Sequence, residues 1–290
     1  MLNNWRIFQR ERFPLSSHLP LILALLFAHA ALAGLATAWP WPWVTLFLVL
    51  LSFFFRMRLF DEIKDYAIDC EKNPSRPLPR GVLGVRDLQQ LILILFCFEL
   101  ALTGLAKPIA LAVLLPAQGY SFLMYREFFI SDFLRPRLTT YAISHTVIMI
   151  LLSALCSAWL LDRLPWQLEA RNWIFAIACL AIFNVFEFGR KTFAESEEQP
   201  GVDSYSKIWG RTGAVVLNLS QALLGLGAMG YAYPYHNFQW WLGSAVLAGL
   251  LIAGVAYILM NTPAAAKAYR ALSGASILLI LGVGILYAIH

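Results

Sequence analysis

The sequence predicts an all-α polytopic membrane protein, with nine transmembrane helices packed as a single bundle, and three observations carry that expectation. Of its 290 residues, 60% are hydrophobic and only 13% are charged, whereas a soluble domain carries about 25% charged residues. Apolar runs of about 20 residues, the length that crosses about 30 Å of hydrocarbon, recur nine times. Lysine and arginine collect on alternate connections between these runs, as the positive-inside rule requires of a chain threaded through a bilayer.

The expected spans are 18–38, 41–60, 87–106, 109–125, 138–161, 171–189, 211–232, 239–260 and 271–289. Ahead of them, residues 1–17 mix Trp5, Ile7, Phe8 and Phe13 with three arginines. That composition suits a short helix lying in the membrane interface, or equally a plain basic flank that fixes topology. The chain thus divides into a cytoplasmic interfacial segment, 1–17, and a nine-helix transmembrane domain, 18–290. The first apolar run follows basic residues and contains small ones, as a signal peptide would, but its length and the spans that follow favour an uncleaved first helix. Trp39 to Trp43, within AWPWPW, reads as an aromatic belt at the outer interface.

With the N-terminus inside, only Lys107, Arg163 and Arg171 fall outside, so nineteen of the 22 basic residues are cytoplasmic. The C-terminus then lies outside, in a plasma or inner membrane. The net charge of +5 reflects orientation in the membrane and calls for no nucleic acid.

Few polar groups fall inside the spans. Glu99 is costly in lipid and is expected to face the bundle interior or to be protonated. His145 has no second His or Cys at ligand spacing and reads as a hydrogen-bonded core histidine. Asn218 and Gln221, one turn apart, suit helix-to-helix hydrogen bonds, and the small residues of GLGAMG, GLLIAG and LGVG suit close helix packing. Cys70, Cys97, Cys156 and Cys179 form neither a disulfide framework nor a paired metal motif.

The chemistry is expected in two charged stretches on the cytoplasmic side. In the first, RLFDEIKDYAIDCEKNPSRPLPRG from Arg58 to Gly81, Glu62, Asp65 and Asp69 stand at i, i+3 and i+7 beside Asp61. If the preceding helix runs on for two turns, those three share a face. Like charges at that spacing repel, which suits either a well-solvated helix or one that holds a cation. The second stretch, 184–210, carries Glu187, Arg190, Lys191, Glu195, Glu197, Glu198, Asp203 and Lys207. Either stretch alone reads as a solvated loop. Two carboxylate clusters with basic residues between them, on one side of the membrane, also match the needs of a bound diphosphate. Oxygen ligands would hold Mg²⁺, which bridges phosphate oxygens, and Lys72, Arg76, Arg126, Arg190 and Lys191 would neutralise the remainder. An apolar helical chamber beneath would accept an isoprenoid tail.

Asp61-Glu62-x-x-Asp65-x-x-x-Asp69 resembles the N-D-x-x-D-x-x-x-D motif of the UbiA superfamily of intramembrane prenyltransferases, and Arg76-Pro77-Leu78-Pro79-Arg80-Gly81 resembles the R-P-L-x-x-G that follows it. Gly201, Ser204 and Gly210 match that family's G-x-x-S-x-x-x-x-x-G. In the first motif Asp61 stands for Asn and Glu62 for the first Asp, and in the second glutamates stand where the family has aspartates. The resemblance implies a UbiA-like bundle and an Mg²⁺-dependent transfer of an isoprenoid chain from a prenyl diphosphate to a lipophilic, aromatic acceptor. It implies metal ligation by Asp61, Glu62, Asp65 and Asp69 on one side, and by Glu187, Glu195 and Asp203 on the other. Asp65, Asp69 and Glu187 would then be catalytic, with diphosphate contacts from Lys72, Arg76, Arg126, Arg190 and Lys191. Two alternatives share the scaffold: a membrane terpene cyclase, and a transporter or lipid-binding protein with Glu99, Asn218 and Gln221 on its path.

Overall fold

Residues 2–35, 41–233 and 237–287 are described in the computed structural model, with the backbone alone for 41, 42 and 287, and helices are their only regular structure. Nine of these helical stretches are long and apolar enough to cross a membrane. They are α2 (Leu15–Leu32), α3 (Trp41–Lys64), α5 (Val85–Ala106), the stretch ending in α6 (Leu111–Tyr125), the pair α8 (Leu138–Thr146) and α9 (Ile148–Leu161), α10 (Ala170–Arg190), α11 (Tyr205–Ala232), α12 (Asn237–Met260) and α13 (Pro263–Tyr287). Short helices fill the connections: α1 (Leu2–Arg12), α4 (Tyr66–Lys72) and α7 (Ser131–Leu134).

The spans agree with expectation to within about four residues except at one end and two starts; helix α2 already stops at Leu32, where Gly34 at φ 72° turns the chain, against an expected end at 38. Helix α11 begins at Tyr205, where the Ser204 side chain caps it by accepting a bond from the Lys207 amide at 3.0 Å. Gly210 then interrupts it with φ 67° and ψ 166°, a backbone region open to little but glycine. The expected start at 211 therefore marks the far side of this break. Helix α13 begins two turns before 271 because Pro263 opens it and PAAAKAYR, rich in alanine, continues without a breaker. The expected aromatic belt, Trp39 to Trp43, lies largely outside the described residues.

Consecutive spans pack on one another, and α13 returns to pack on α2, so the bundle closes as a ring. Helix α10 also packs on α13 within the ring. Lipid is as apolar as leucine, so in a bilayer such helices are held by close packing and interhelical hydrogen bonds. The main core cluster draws on residues such as Ile22, Leu50, Leu114, Leu155, Phe175 and Ile280. Polar ties cross it: Asn218 donates to Ser273 at 3.0 Å, Thr146 to Asn184 at 2.6 Å and Asn184 to Gln221 at 3.0 Å. His29 Nε2 meets Ser153 Oγ at 2.7 Å.

Among the described residues, Glu99 is the one intramembrane acid whose cationic partner is fully buried. Both it and Arg56 are fully buried. The Arg56 Nε and Nη2 donate to its carboxylate at 3.0 Å each, Ser52 adds a bond at 3.0 Å and Gln118 another at 3.1 Å. The guanidinium also lies 4.5 Å from the Phe53 ring centroid. A buried pair satisfied this fully links α3, α5 and α6, and breaking one side alone would cost about 3–5 kcal/mol.

Helix α1 sits against the charged end of the bundle. Phe8 is fully buried in a small cluster with Leu59, Leu78, Leu83 and Leu88, and Arg80 donates to Glu11 at 2.6 Å. The RPLPRG loop is thereby clamped between α1 and α3, with Leu78 as its anchor.

Candidate functional site

Helices α3 and α10 deliver their charged ends to one cavity of about 460 Å³. Asp61 and Asp65 reach it from α3 and the joint that follows, Glu187 from α10. Basic residues come from more places: Arg12 from the end of α1, Arg58 and Lys64 from α3, Arg76 from the clamped loop, and Arg190 and Lys191 from the end of α10. The wall towards the bundle is formed by Met57, Met124, Ala142, Tyr141, His145 and Thr146.

The first acidic stretch does not continue as one straight helix. Helix α3 stops at Lys64, Asp65 takes φ −90° and ψ 1°, and α4 starts at Tyr66. At about 100° per residue along α3, Asp61 and Glu62 leave the helix about 100° apart, and Asp69 lies beyond the bend on α4. The structure separates them accordingly. Glu62 is buried, with Oε1 taking bonds from Arg12 Nε at 2.7 Å and Arg58 Nη2 at 2.5 Å. Asp69 is buried, with bonds from Arg76 Nη1 at 2.5 Å and Asn73 at 3.0 Å.

In the second stretch only the helical end reaches the cavity. Arg190 Nε and Nη2 bind both oxygens of Glu187, at 2.6 and 2.8 Å, and Lys191 Nζ stands 3.8 Å from it. Beyond, the carboxylates are spent on the loop itself. Glu195 faces Asn261, Glu197 pairs with Arg270 through bonds of 2.8 and 2.9 Å, and Glu198 takes the hydroxyls of Ser204 and Ser206 at 2.6 Å each. Glu195, Asp203, Lys72 and Arg126 are exposed and do not line the cavity. The Arg126 guanidinium lies instead over Phe129, and Lys72 Nζ lies beside Gly201. A separate recess of about 450 Å³ over this loop includes Glu198, Ser206 and Arg211, but the Glu198 carboxylate there already serves the two serines.

The electrostatics follow from burial. Burial pushes the Asp65 carboxyl above the usual aspartate range, Lys64 pulls it back, and Asp61 and Asp69 push it up again. Burial also lowers the Lys191 ammonium, with Glu187 opposing. Lys64 Nζ lies 3.1 Å from Asp61 and above the Tyr141 ring.

Magnesium requires several oxygen donors that converge with little crowding by other cations. Among the described residues no three carboxylates, histidines or cysteines form a group able to hold a metal ion. Both Glu187 oxygens are taken by Arg190, and Asp61 faces Lys64. Glu62 Oε2 is buried without a partner, but the two guanidiniums on its other oxygen would repel a metal there. Of the carboxylates that line the cavity, only the Asp65 side chain has no hydrogen bond or ion pair with the described residues. The donor set as it stands does not fit an Mg²⁺ ion.

Arg12, Arg58, Lys64, Tyr141 and His145 were not among the expected site residues. Tyr141 and His145 stand at i, i+4 on α8, a spacing that places them together, and their rings stack at 4.1 Å. His145 shows nothing at metal spacing, so a search for ligands passes over it. Phe8 and Arg12 have the same spacing on α1, a buried anchor followed by a cation aimed at the bundle.

The helices close as a ring with a basic, half-enclosed cavity at one end, which defines a membrane-embedded helical protein with a charged site at one face of the bundle. The chain belongs to the UbiA prenyltransferase family, whose model matches residues 21–281, and it is an integral membrane protein. Two solved structures share the fold. One, from work on digeranylgeranylglyceryl phosphate synthase in membranes, aligns with a TM-score of 0.67 and 12% identity over 99% of both chains. The other, the apo form of a UbiA homologue from Aeropyrum pernix K1, aligns with a TM-score of 0.60 and 14% identity over 93% of this chain and 98% of that one. No protein with a curated description matches the sequence.

Proposed function

We propose that the protein is an intramembrane prenyltransferase that binds a prenyl diphosphate in the α3–α10 cavity and passes its isoprenoid chain to a lipophilic, aromatic acceptor. The observation that carries this reading is the cavity itself, basic at its rim and apolar towards Met57, Met124 and Ala142, within a chain of the UbiA family. A diphosphate fits the rim and a hydrocarbon tail fits the bundle side, because each group then keeps the environment it prefers.

In the reaction the allylic carbon–oxygen bond breaks and its electron pair leaves with the diphosphate. Arg76, Arg190 and Lys191 stabilise the charge that develops there, which is electrostatic catalysis by groups already in place. The allylic cation takes electrons from an acceptor carbon, a new carbon–carbon bond forms, and the acceptor loses a proton. His145 is suited to receive it. Its Nδ1 lies 2.7 Å from the Tyr141 carbonyl, which keeps the hydrogen on Nδ1 and leaves the buried, unpartnered Nε2 as a lone-pair base. Mg²⁺ is the cofactor that the resemblance implies, and Asp65, the one unpaired carboxylate on the cavity, is the first residue to test for it. Lys72 and Arg126 lie outside the cavity, where they can act on the approach of a charged substrate. The charged end is cytoplasmic, following the lysine and arginine distribution.

The test is product formation by the purified full chain in lipid, supplied with prenyl diphosphates and a panel of aromatic and alcohol acceptors. Prenylated acceptor is expected, with His145→Gln slowing its formation and leaving donor binding intact. Products made without any acceptor would replace the reading with cyclisation, and no release of diphosphate from any donor would overturn it. A transport path through Glu99 has less support, since that carboxylate is held by Arg56, Ser52 and Gln118.

A further inference from the structure

We infer that the diphosphate is gripped by protein cations directly, and that the motif carboxylates Glu62, Asp69 and Glu187 orient those cations instead of ligating metal. The inference rests on the reading that the cavity takes a diphosphate. Six basic side chains line it: Arg12, Arg58, Lys64, Arg76, Arg190 and Lys191. Three carboxylates, Asp61, Asp65 and Glu187, line it with them. Glu62 and Asp69 are buried and do not line it, yet each binds arginines that do.

The arrangement is layered. Glu62 stands behind Arg12 and Arg58, Asp69 stands behind Arg76, and Glu187 holds Arg190. A guanidinium has five N–H donors, and these pairs use only one or two of them. The rest are free to meet phosphate oxygens, in the forked geometry that arginine offers. Arg58 shows the surplus plainly, for its Nε is buried with no partner at all. An arginine fixed by a carboxylate at its back loses little freedom when an anion arrives, which is the usual advantage of a pre-organised site. A metal ion at Glu62, Asp69 or Glu187 would instead have to displace an arginine from its ion pair and stand beside it.

Binding of inorganic pyrophosphate to the purified full chain, by calorimetry in EDTA and again in excess Mg²⁺, tests this. The dissociation constants should agree within about threefold, and Arg76→Gln and Lys191→Gln should each weaken binding by about tenfold or more, the worth of a charge-assisted bond. Asp65→Asn should bind as well as the parent or better, since it removes a like charge from the anion's surroundings. Lys191 makes only a 3.8 Å ion pair, so its variant reports on binding even where Arg76→Gln perturbs the loop. Melting temperatures of the unliganded variants establish that each is folded. Binding that vanishes in EDTA and returns with Mg²⁺, or is abolished in Asp65→Asn, overturns the inference and leaves the diphosphate site standing. Failure to bind in both conditions defeats the site itself and the inference with it.

Discussion

The two charged stretches carry five carboxylates each and put them to different uses. From 58 to 81, five basic or acidic side chains face the cavity and two more brace them from behind. From 184 to 210, the cavity receives only the helical end, and the remaining carboxylates fold the loop: Glu197 onto Arg270, Glu198 onto Ser204 and Ser206, Glu195 onto Asn261. Charge density therefore marks both stretches, but the position of the nearest opposite charge decides what each one does. Where the partner lies behind the side chain, the free face is left open to the cavity. Where the partner is in the same loop, the charge is consumed by structure.

Substitutions in each stretch test the contrast. The largest effect is expected from Arg76→Gln in the first stretch: product formation should fall about a hundredfold, comparable to losing one donor to a developing oxyanion, with the rate measured at saturating donor. In the second stretch, Gly210→Ala places a side chain at φ 67° and ψ 166° and should cost about 1–3 kcal/mol, read as a lower melting temperature. Arg270→Gln should cost about 1 kcal/mol, because its pair with Glu197 is partly solvated, and should change product formation by less than about twofold. If it silences the reaction while the protein stays folded, the division between the stretches is wrong.

The smallest effect is on pH dependence. The Arg270 hydrogen bond holds Glu197 below the usual glutamate range. A depressed value contributes stability above the unfolded pKa of about 4.3, and that stability is lost as pH falls through the folded value. Asp65 has the opposite sign, since its raised value opposes folding above the ordinary aspartate range and ceases to do so in acid. Melting curves between neutral pH and pH 3 should flatten slightly in Glu197→Gln and steepen slightly in Asp65→Asn.

Much of the fold was legible because spans are set by length and apolarity, and neither depends on the rest of the molecule. Gly201, Ser204 and Gly210 were legible as a pattern, and the structure gives each a reason: a turn at φ 73°, a helix cap and a break. What the sequence withheld was pairing. Nothing near Glu62 announces that Arg12, fifty positions earlier, will occupy it, and nothing near Glu99 announces Arg56. A carboxylate on a helix looks the same whether it awaits a metal or already holds an arginine, because that difference belongs to another helix. The bend at Asp65 had the same effect on a smaller scale, placing Asp69 on a separate helix, while Glu62 parts from Asp61 by the rotation of one helical residue.

The closed ring and the Arg56–Glu99 pair have a consequence for how the chain is made. The contact between α2 and α13 cannot form until the ninth span leaves the ribosome, so α2 must wait with that part of its surface against lipid, which its apolar side chains tolerate. Arg56 and Glu99 would not tolerate such a wait. They sit on the second and third spans, next to each other in order of synthesis, so the two charges that lipid penalises most can neutralise each other while six spans are still to come. The order of the helices thus spares the half-built protein its most expensive intermediate.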